Sequence, residues 1–201
     1  MKIVIIKYNA GNIRSVDFAL QRLGVTAIIT DDHQEIRNAD RVIFPGVGEA
    51  STTMGYLKDH KLDILIRDLK QPVLGVCLGL QLMCAHSEEG NTTCLGIFPE
   101  KVIKFVRPSE DSITYKIPHM GWNSVSGLKS ALFDTVNEED FFYFVHSFYA
   151  ASGIDTAATC NYIVPFSAAL HRDNFYATQF HPEKSGRTGS KILENFINLK
   201  Y

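Results

Sequence analysis

With 201 residues, 45% of them hydrophobic and 21% charged, the chain can bury a substantial core and fits one domain by default. Its formal net charge of −2 offers no basic surface for tracking phosphates, which argues against nucleic acid as a partner. The cysteines Cys77, Cys84, Cys94 and Cys160 follow no metal-binding or C-x-x-C spacing, and neither a signal peptide nor a bilayer-length apolar run is present. The expectation is a cytoplasmic chain with reduced thiols, no metal, no cofactor and no membrane segment, in which Cys84, Cys94 and Cys160 are free and buried.

Residues 2–6 (Lys-Ile-Val-Ile-Ile) are an apolar run suited to a strand buried on both faces. Ile13, Val16, Leu20 and Leu23 recur with a helical period, and Gly24 supplies a stop before a second strand at 25–29. Residues 41–44 and 73–76 predict two further strands, the latter followed directly by helix formers at 78–85. This alternation predicts an α/β fold with a doubly wound, mostly parallel sheet, its site lying beyond the C-terminal strand ends. The second half is richer in strand signals, at 102–105, 141–145, 168–171 and 176–180, which predict added antiparallel strands. Ile192, Leu193, Phe196, Ile197 and Leu199 mark a closing helix. No repeat, low-complexity tract or linker interrupts the chain, so 1–201 reads as a single domain.

Gly75-Val76-Cys77-Leu78-Gly79 is a nucleophile-elbow pattern with cysteine in the place of serine. It places Cys77 on a strand-to-helix turn, where flanking glycines make room and the helix N-terminus favours a thiolate and a developing oxyanion. The alternative for these residues alone is a structural cysteine at an ordinary strand end. A second segment, Gln179-Phe180-His181-Pro182-Glu183, supplies a base and its orienter. In an extended chain His181 and Glu183 share a face, and Pro182 disfavours a helical setting for His181. Glu183 then holds the imidazole while it takes a proton from Cys77 and returns it to a leaving amine, as in covalent acyl transfer. Pro45-Gly46-Val47-Gly48 follows a buried strand and reads either as an ordinary Gly/Pro turn or as a loop whose amides face the cleft.

Together with Tyr8-Asn9-Ala10-Gly11-Asn12-Ile13-Arg14-Ser15-Val16, Pro118-His119-Met120-Gly121-Trp122-Asn123 and Val145-His146-Ser147-Phe148-Tyr149, these segments resemble the class I glutamine amidotransferases across almost the whole chain. That family uses cysteine, histidine and glutamate to hydrolyse the side-chain amide of glutamine, on a flavodoxin-like sheet. More narrowly, the chain is similar to the glutaminase subunits of imidazole glycerol phosphate synthases. The resemblance implies catalysis by Cys77, His181 and Glu183, and an oxyanion site formed by the amides near Val47 and Leu78. It implies glutamine contacts at Gly48, Gln81 and Glu89, with Ser147 and Phe148 contributing backbone groups. It also implies a heterodimer with a (β/α)8-barrel cyclase subunit, docked through Met120, Trp122 and Lys184, that receives the ammonia for histidine biosynthesis. Activity would then depend on the partner.

Two positions depart from the family pattern: Lys7 stands where an acidic residue is common, and Asn9 where glycine is usual. They keep open a paralogue that feeds ammonia to a different synthase, such as one forming a sugar amidine. The residues also admit a non-catalytic flavodoxin-like binding subunit and a cysteine peptidase or related hydrolase. The complete triad speaks against the binding subunit, and Gln81 with the His-Pro-Glu order against the peptidase.

Overall fold

The computed structural model describes residues 1–9, 12–108 and 115–200; Ala10 and Gly11 of the N-terminal motif lie outside them. Strand β1 (Ile3–Ile6) is followed by α1 (Ile13–Arg22), β2 (Ala27–Thr30), α2 (His33–Arg37), β3 (Arg41–Gly46), α3 (Ala50–Asp59), α4 (Leu62–Asp68) and β4 (Val73–Cys77). Helix α5 (Leu78–Met83) starts at the next residue. The second half runs through β5 (His86–Ser87), β6 (Thr92–Thr93), β7 (Lys101–Lys104), β8 (His119–Ser124), β9 (Phe141–His146) and β10 (Phe148–Ala150). It ends in β11 (Thr156–Tyr162), β12 (Val164–Arg172), β13 (Phe175–Thr178) and α6 (Gly186–Asn198).

The main sheet has the order β11-β12-β13-β4-β3-β1-β2. Its members from β13 to β2 pair in parallel, and β11 and β12 add antiparallel strands at one edge. Two smaller sheets accompany it, one of order β10-β7-β5-β6 and the two-stranded β8-β9 ribbon. The apolar run in β1 is buried on both faces as its composition predicts, each of Ile3, Val4, Ile5 and Ile6 being at most 1% exposed. Alternation then divides the core. Val4 and Phe44 pack with Leu57 of α3, Leu65 of α4 and Leu80 of α5, whereas Ile5, Ile43 and Leu74 pack with Leu20 of α1 and Phe196 of α6. This is the expected doubly wound, mostly parallel α/β arrangement.

Several elements differ from the sequence expectation for identifiable reasons. The second strand begins at Ala27 rather than 25 and sits at the sheet edge, so Ile28 and Ile29 are 39% and 38% exposed. Helix α5 ends at Met83, two residues early, and the last strand ends at Thr178 instead of 180. Helices α3 and α4 carry no strong periodic signal; α3 opens Ala-Ser-Thr-Thr and contains Gly55, and it is fixed by Glu49, whose side chain caps the Ser51 and Thr52 amides. Leu199 caps α6 rather than belonging to it.

Candidate active site

The nucleophile turn is built by close packing. A Cβ at Gly79 would lie 2.1 Å from the Phe44 carbonyl oxygen, so only glycine lets α5 lean on β3 directly after Cys77. Cys77 itself ends β4 with φ 55° and ψ −108°, a setting disfavoured for a side-chain-bearing residue and typical of strained functional turns. Its Sγ lies 4.0 Å from the Val145 carbonyl oxygen and receives a hydrogen bond from Gln179 Nε2 at 3.7 Å.

His181 follows β13 in an extended setting (φ −97°, ψ 96°), as the proline after it requires. Glu183, however, lies in a 3-10 turn over Pro182–Lys184, not in the extended segment expected. The turn still brings the two side chains together, and His181 Nδ1 donates to Glu183 Oε1 at 2.7 Å. Neighbouring elements fix that turn from three sides. The His181 amide donates to the Tyr143 carbonyl at 2.9 Å, and Ser185 Oγ donates to the His181 carbonyl at 2.7 Å while accepting the Tyr143 amide at 2.9 Å. Helix α6 packs so close that a Cβ on Gly189 would stand 1.9 Å from the Pro182 carbonyl oxygen. Asn12 Nδ2 donates to Glu183 Oε1 from the start of α1.

With Nδ1 committed to Glu183, Nε2 is the remaining nitrogen of His181; it is buried, without a hydrogen-bond partner among the described residues, and His181 lines the cleft together with Cys77. Burial alone depresses the imidazole's proton affinity, but the neighbouring Cys77 sulfur first, and then the hydrogen bond to Glu183 and its charge, outweigh it and raise the His181 pKa to about 10. A base held this way can accept a thiol proton and keep it as a cation facing the sulfur.

The cleft has a volume of about 370 Å³. Val47 and Leu78, the expected oxyanion residues, line it next to Cys77, and Gly48, Gln81 and Glu89 line it further along. Gln81 is buried, with Nε2 donating to the Phe148 carbonyl at 2.8 Å and to Gln179 Oε1 at 3.0 Å. Glu89 is half-buried; its Oε2 accepts the Ala50 amide at 2.9 Å. Burial raises the Glu89 carboxyl above its usual range, the Ala50 hydrogen bond opposes this, and the Glu49 charge adds to it. Ser147 and Phe148 also line the cleft. The Phe148 carbonyl already accepts from both Gln81 and His146 Nδ1 (2.8 Å), so it orients those side chains rather than meeting a ligand.

Met120 and Trp122 of β8 and Lys184, at the end of the 3-10 turn, are exposed and do not line the cleft. Met120 is 63% and Trp122 55% exposed; the Trp122 ring meets Tyr143 edge-on, and Lys184 Nζ lies 6.0 Å from the centre of the same Tyr143 ring. Among the described residues, Lys7 and Asn9 form no hydrogen bond or ion pair with the triad. Sequence reasoning assigned no role to Gln179, Asn12 or His146, all of which touch this network. For Gln179 a signal existed, since it precedes His181 by two residues, the spacing that puts side chains on one face of an extended chain. Among the described residues no cluster of three His, Cys, Asp or Glu side chains is placed to hold a metal ion.

A mostly parallel α/β sheet that presents a buried thiol and an imidazole in one small cleft, the imidazole held from behind by a carboxylate, has the parts for covalent acyl transfer through cysteine. The family model for class-I glutamine amidotransferases matches residues 4–199, and the chain belongs to that family. It is 60% identical over 199 residues to the Imidazole glycerol phosphate synthase subunit HisH of Bacteroides thetaiotaomicron, covering 99% of this chain and 100% of the relative. The protein of the same name from Pasteurella multocida is 44% identical over 200 residues, covering 98% of each. Among solved structures, a putative GMP synthase component from Thermoplasma acidophilum superposes with a TM-score of 0.74 at 23% identity, covering 98% of this chain and 92% of that one, which supports the fold.

Proposed function

We propose that this chain is the glutaminase subunit of an imidazole glycerol phosphate synthase, hydrolysing glutamine to glutamate and ammonia for histidine biosynthesis. The observation that carries this reading is a small cleft lined by Cys77 and His181, with Glu183 bonded to His181 behind it, in a chain 60% identical to a HisH subunit along its whole length. His181 Nε2 takes the Cys77 proton, and the sulfur attacks the side-chain amide carbon of glutamine. The oxyanion is received by the amides near Val47 and Leu78, each such donor being worth roughly 10²–10³ in rate. The protonated His181 gives its proton to the leaving nitrogen, ammonia departs, and water activated by the same imidazole cleaves the glutamyl thioester. Glu89 offers its half-buried carboxylate to the α-ammonium of glutamine, with Gly48, Gln81, Ser147 and Phe148 shaping the remainder of the site.

The ammonia goes to a (β/α)8-barrel cyclase subunit that makes imidazole glycerol phosphate and AICAR, docked on the surface around Met120, Trp122 and Lys184. Passage inside such a heterodimer prevents ammonia from being protonated in bulk water. The chain acts as a single cytoplasmic domain over 1–201 without a cofactor. The test is glutamate release by the purified chain, alone and with a candidate barrel partner plus its nucleotide ligand, with Cys77→Ala as the blank. Strong hydrolysis that depends on the partner supports the reading. Hydrolysis indifferent to that barrel moves the chain to another synthase, and none under any condition contradicts the enzyme.

A further inference from the structure

We propose that Gln179 is a further catalytic residue, whose side-chain amide donates to Cys77 Sγ and holds the sulfur as a thiolate before attack and again as it leaves. The proposal rests on Cys77 being the nucleophile of the function proposed above. Gln179 is 0% exposed, directly follows β13, and places Nε2 3.7 Å from the sulfur.

Which end of a buried amide faces the sulfur is decided by the neighbours. The Phe148 carbonyl can only accept, so Gln81 must turn its NH₂ group toward it, at 2.8 Å. The second hydrogen of that NH₂ goes to Gln179 Oε1 at 3.0 Å, which leaves the Gln179 NH₂ for Cys77. His146 Nδ1 donates to the same Phe148 carbonyl at 2.8 Å, and His146 Nε2 accepts from His119 Nδ1 at 3.0 Å, so the network of hydrogen bonds extends from the first residue of β8 to the nucleophile.

The sulfur therefore stands between two groups of opposite sense. The Val145 carbonyl, 4.0 Å away, accepts the S–H of the neutral thiol and repels a thiolate. The Gln179 N–H does the reverse. When the proton moves from Sγ to His181 Nε2, the sulfur keeps the electron pair that then forms the C–S bond, and the Gln179 N–H stabilises that pair beforehand. When water cleaves the thioester, the C–S electrons return to sulfur beside the same donor, and the proton on His181 restores the thiol. An apolar side chain in place of Gln179 would leave a developing charge in a closed site without its donor.

The test uses Gln179→Met, which retains volume without the donor, and Gln179→Glu, which retains shape and regains a donor only when protonated. Each is measured for steady-state glutamine turnover with the partner present, for iodoacetamide alkylation at Cys77 read by peptide mass spectrometry, and for thermal unfolding. Gln179→Met is expected to lower both kcat and the Cys77 alkylation rate roughly tenfold or more, with a smaller change in KM. For Gln179→Glu, the ratio of variant to wild-type alkylation should rise as the pH is lowered, a response that a side chain whose polar end is turned away from the sulfur would not give. Should Gln179→Met not fold, that ratio carries the test. Folded variants with wild-type alkylation and kcat, or a ratio flat with pH, overturn the proposal. Labelling of the wild type by 6-diazo-5-oxo-L-norleucine separates the two claims: its absence from Cys77 contradicts the glutamine reading, while the iodoacetamide ratio still decides the contact between Gln179 and sulfur.

Discussion

The two walls of the cleft are built differently. On the sheet side, Cys77, Gln81 and His181 line the cleft with Gln179 and Glu183 behind them, all at most 7% exposed, and packed elements fix their backbones. On the loop side, Gly48 has a φ of 120° and open space where a side chain would be, and Glu89 is half-buried beside a 3-10 turn. Groups that must exchange protons over fractions of an ångström lie on the wall that cannot yield. Of the groups assigned to the oxyanion and to glutamine recognition, Val47, Gly48 and Glu89 lie on the loop side, where backbone can adjust, whereas Leu78 and Gln81 are buried in α5 on the rigid wall. The rigid wall is also tied to the outer surface, because Tyr143, which packs against Trp122 outside, bonds through its backbone to His181 and Ser185 inside.

This contrast sets the expected order of effects. Glu183→Gln acts on the rigid wall. It keeps the shape but loses the charge that holds His181 as a donor at Nδ1, and kcat for glutamine hydrolysis should fall roughly 10³–10⁴-fold with little change in KM. Glu89→Gln acts on the adaptable wall and should do the opposite, raising KM roughly 10–100-fold while kcat changes several-fold at most, because it removes a charge from recognition rather than from bond breaking. Steady-state kinetics of the two variants side by side would break the comparison if both changed the same parameter. Trp122→Ala touches neither wall; it should weaken association with the barrel partner by roughly tenfold or more, while glutamine hydrolysis by the isolated chain stays at its own level. Titration calorimetry reads the first effect and glutamate release the second.

The smallest expected effect is on stability with pH. Burial lowers the pKa of His119 to about 4 and that of His146 to about 3. The unfolded chain then binds more protons than the folded one once the pH falls below about 6.5, so stability is retained above that value and lost progressively toward pH 4 and 3. The melting temperature should drop by several degrees between pH 6.5 and 4, and His119→Phe should reduce that drop, as measured by scanning calorimetry. His181 runs in the other direction: its raised value favours the folded state below about 6.5, and that contribution is lost as the pH rises through about 10.

The parallel half of the sheet was legible in the sequence because strands buried on both faces must be continuously apolar, as in Ile3 to Ile6 and Val73 to Val76. Strand β11 was not, since its Thr-Ala-Ala-Thr-Cys run is made of small residues at a sheet edge, where packing demands less. The glycine-rich opening of α6 reads as a loop until the close approach of Gly189 to Pro182 explains it. In the site, Cys77, His181 and Glu183 were legible from turn chemistry, although Glu183 reaches His181 by a 3-10 turn instead of an extended step. Asn12 escaped because its hydrogen bond to Glu183 spans most of the chain and leaves no spacing to read, whereas Gln179 stands two residues before His181 and only its contact with the distant Cys77 was hidden. The role proposed for Val47 and Leu78 belongs to their backbone amides, which every residue but proline carries and which therefore leave no mark on side-chain identity.

The central claim is that glutamine is cleaved through a covalent bond to Cys77. Acid quench of the chain turning over labelled glutamine with its partner, followed by peptide mass spectrometry, tests it most directly. The expected result is a glutamyl group in thioester linkage on the peptide carrying Cys77, absent in Cys77→Ala. Glutamate release at full rate with Cys77 unmodified, or persisting in Cys77→Ala, would contradict it.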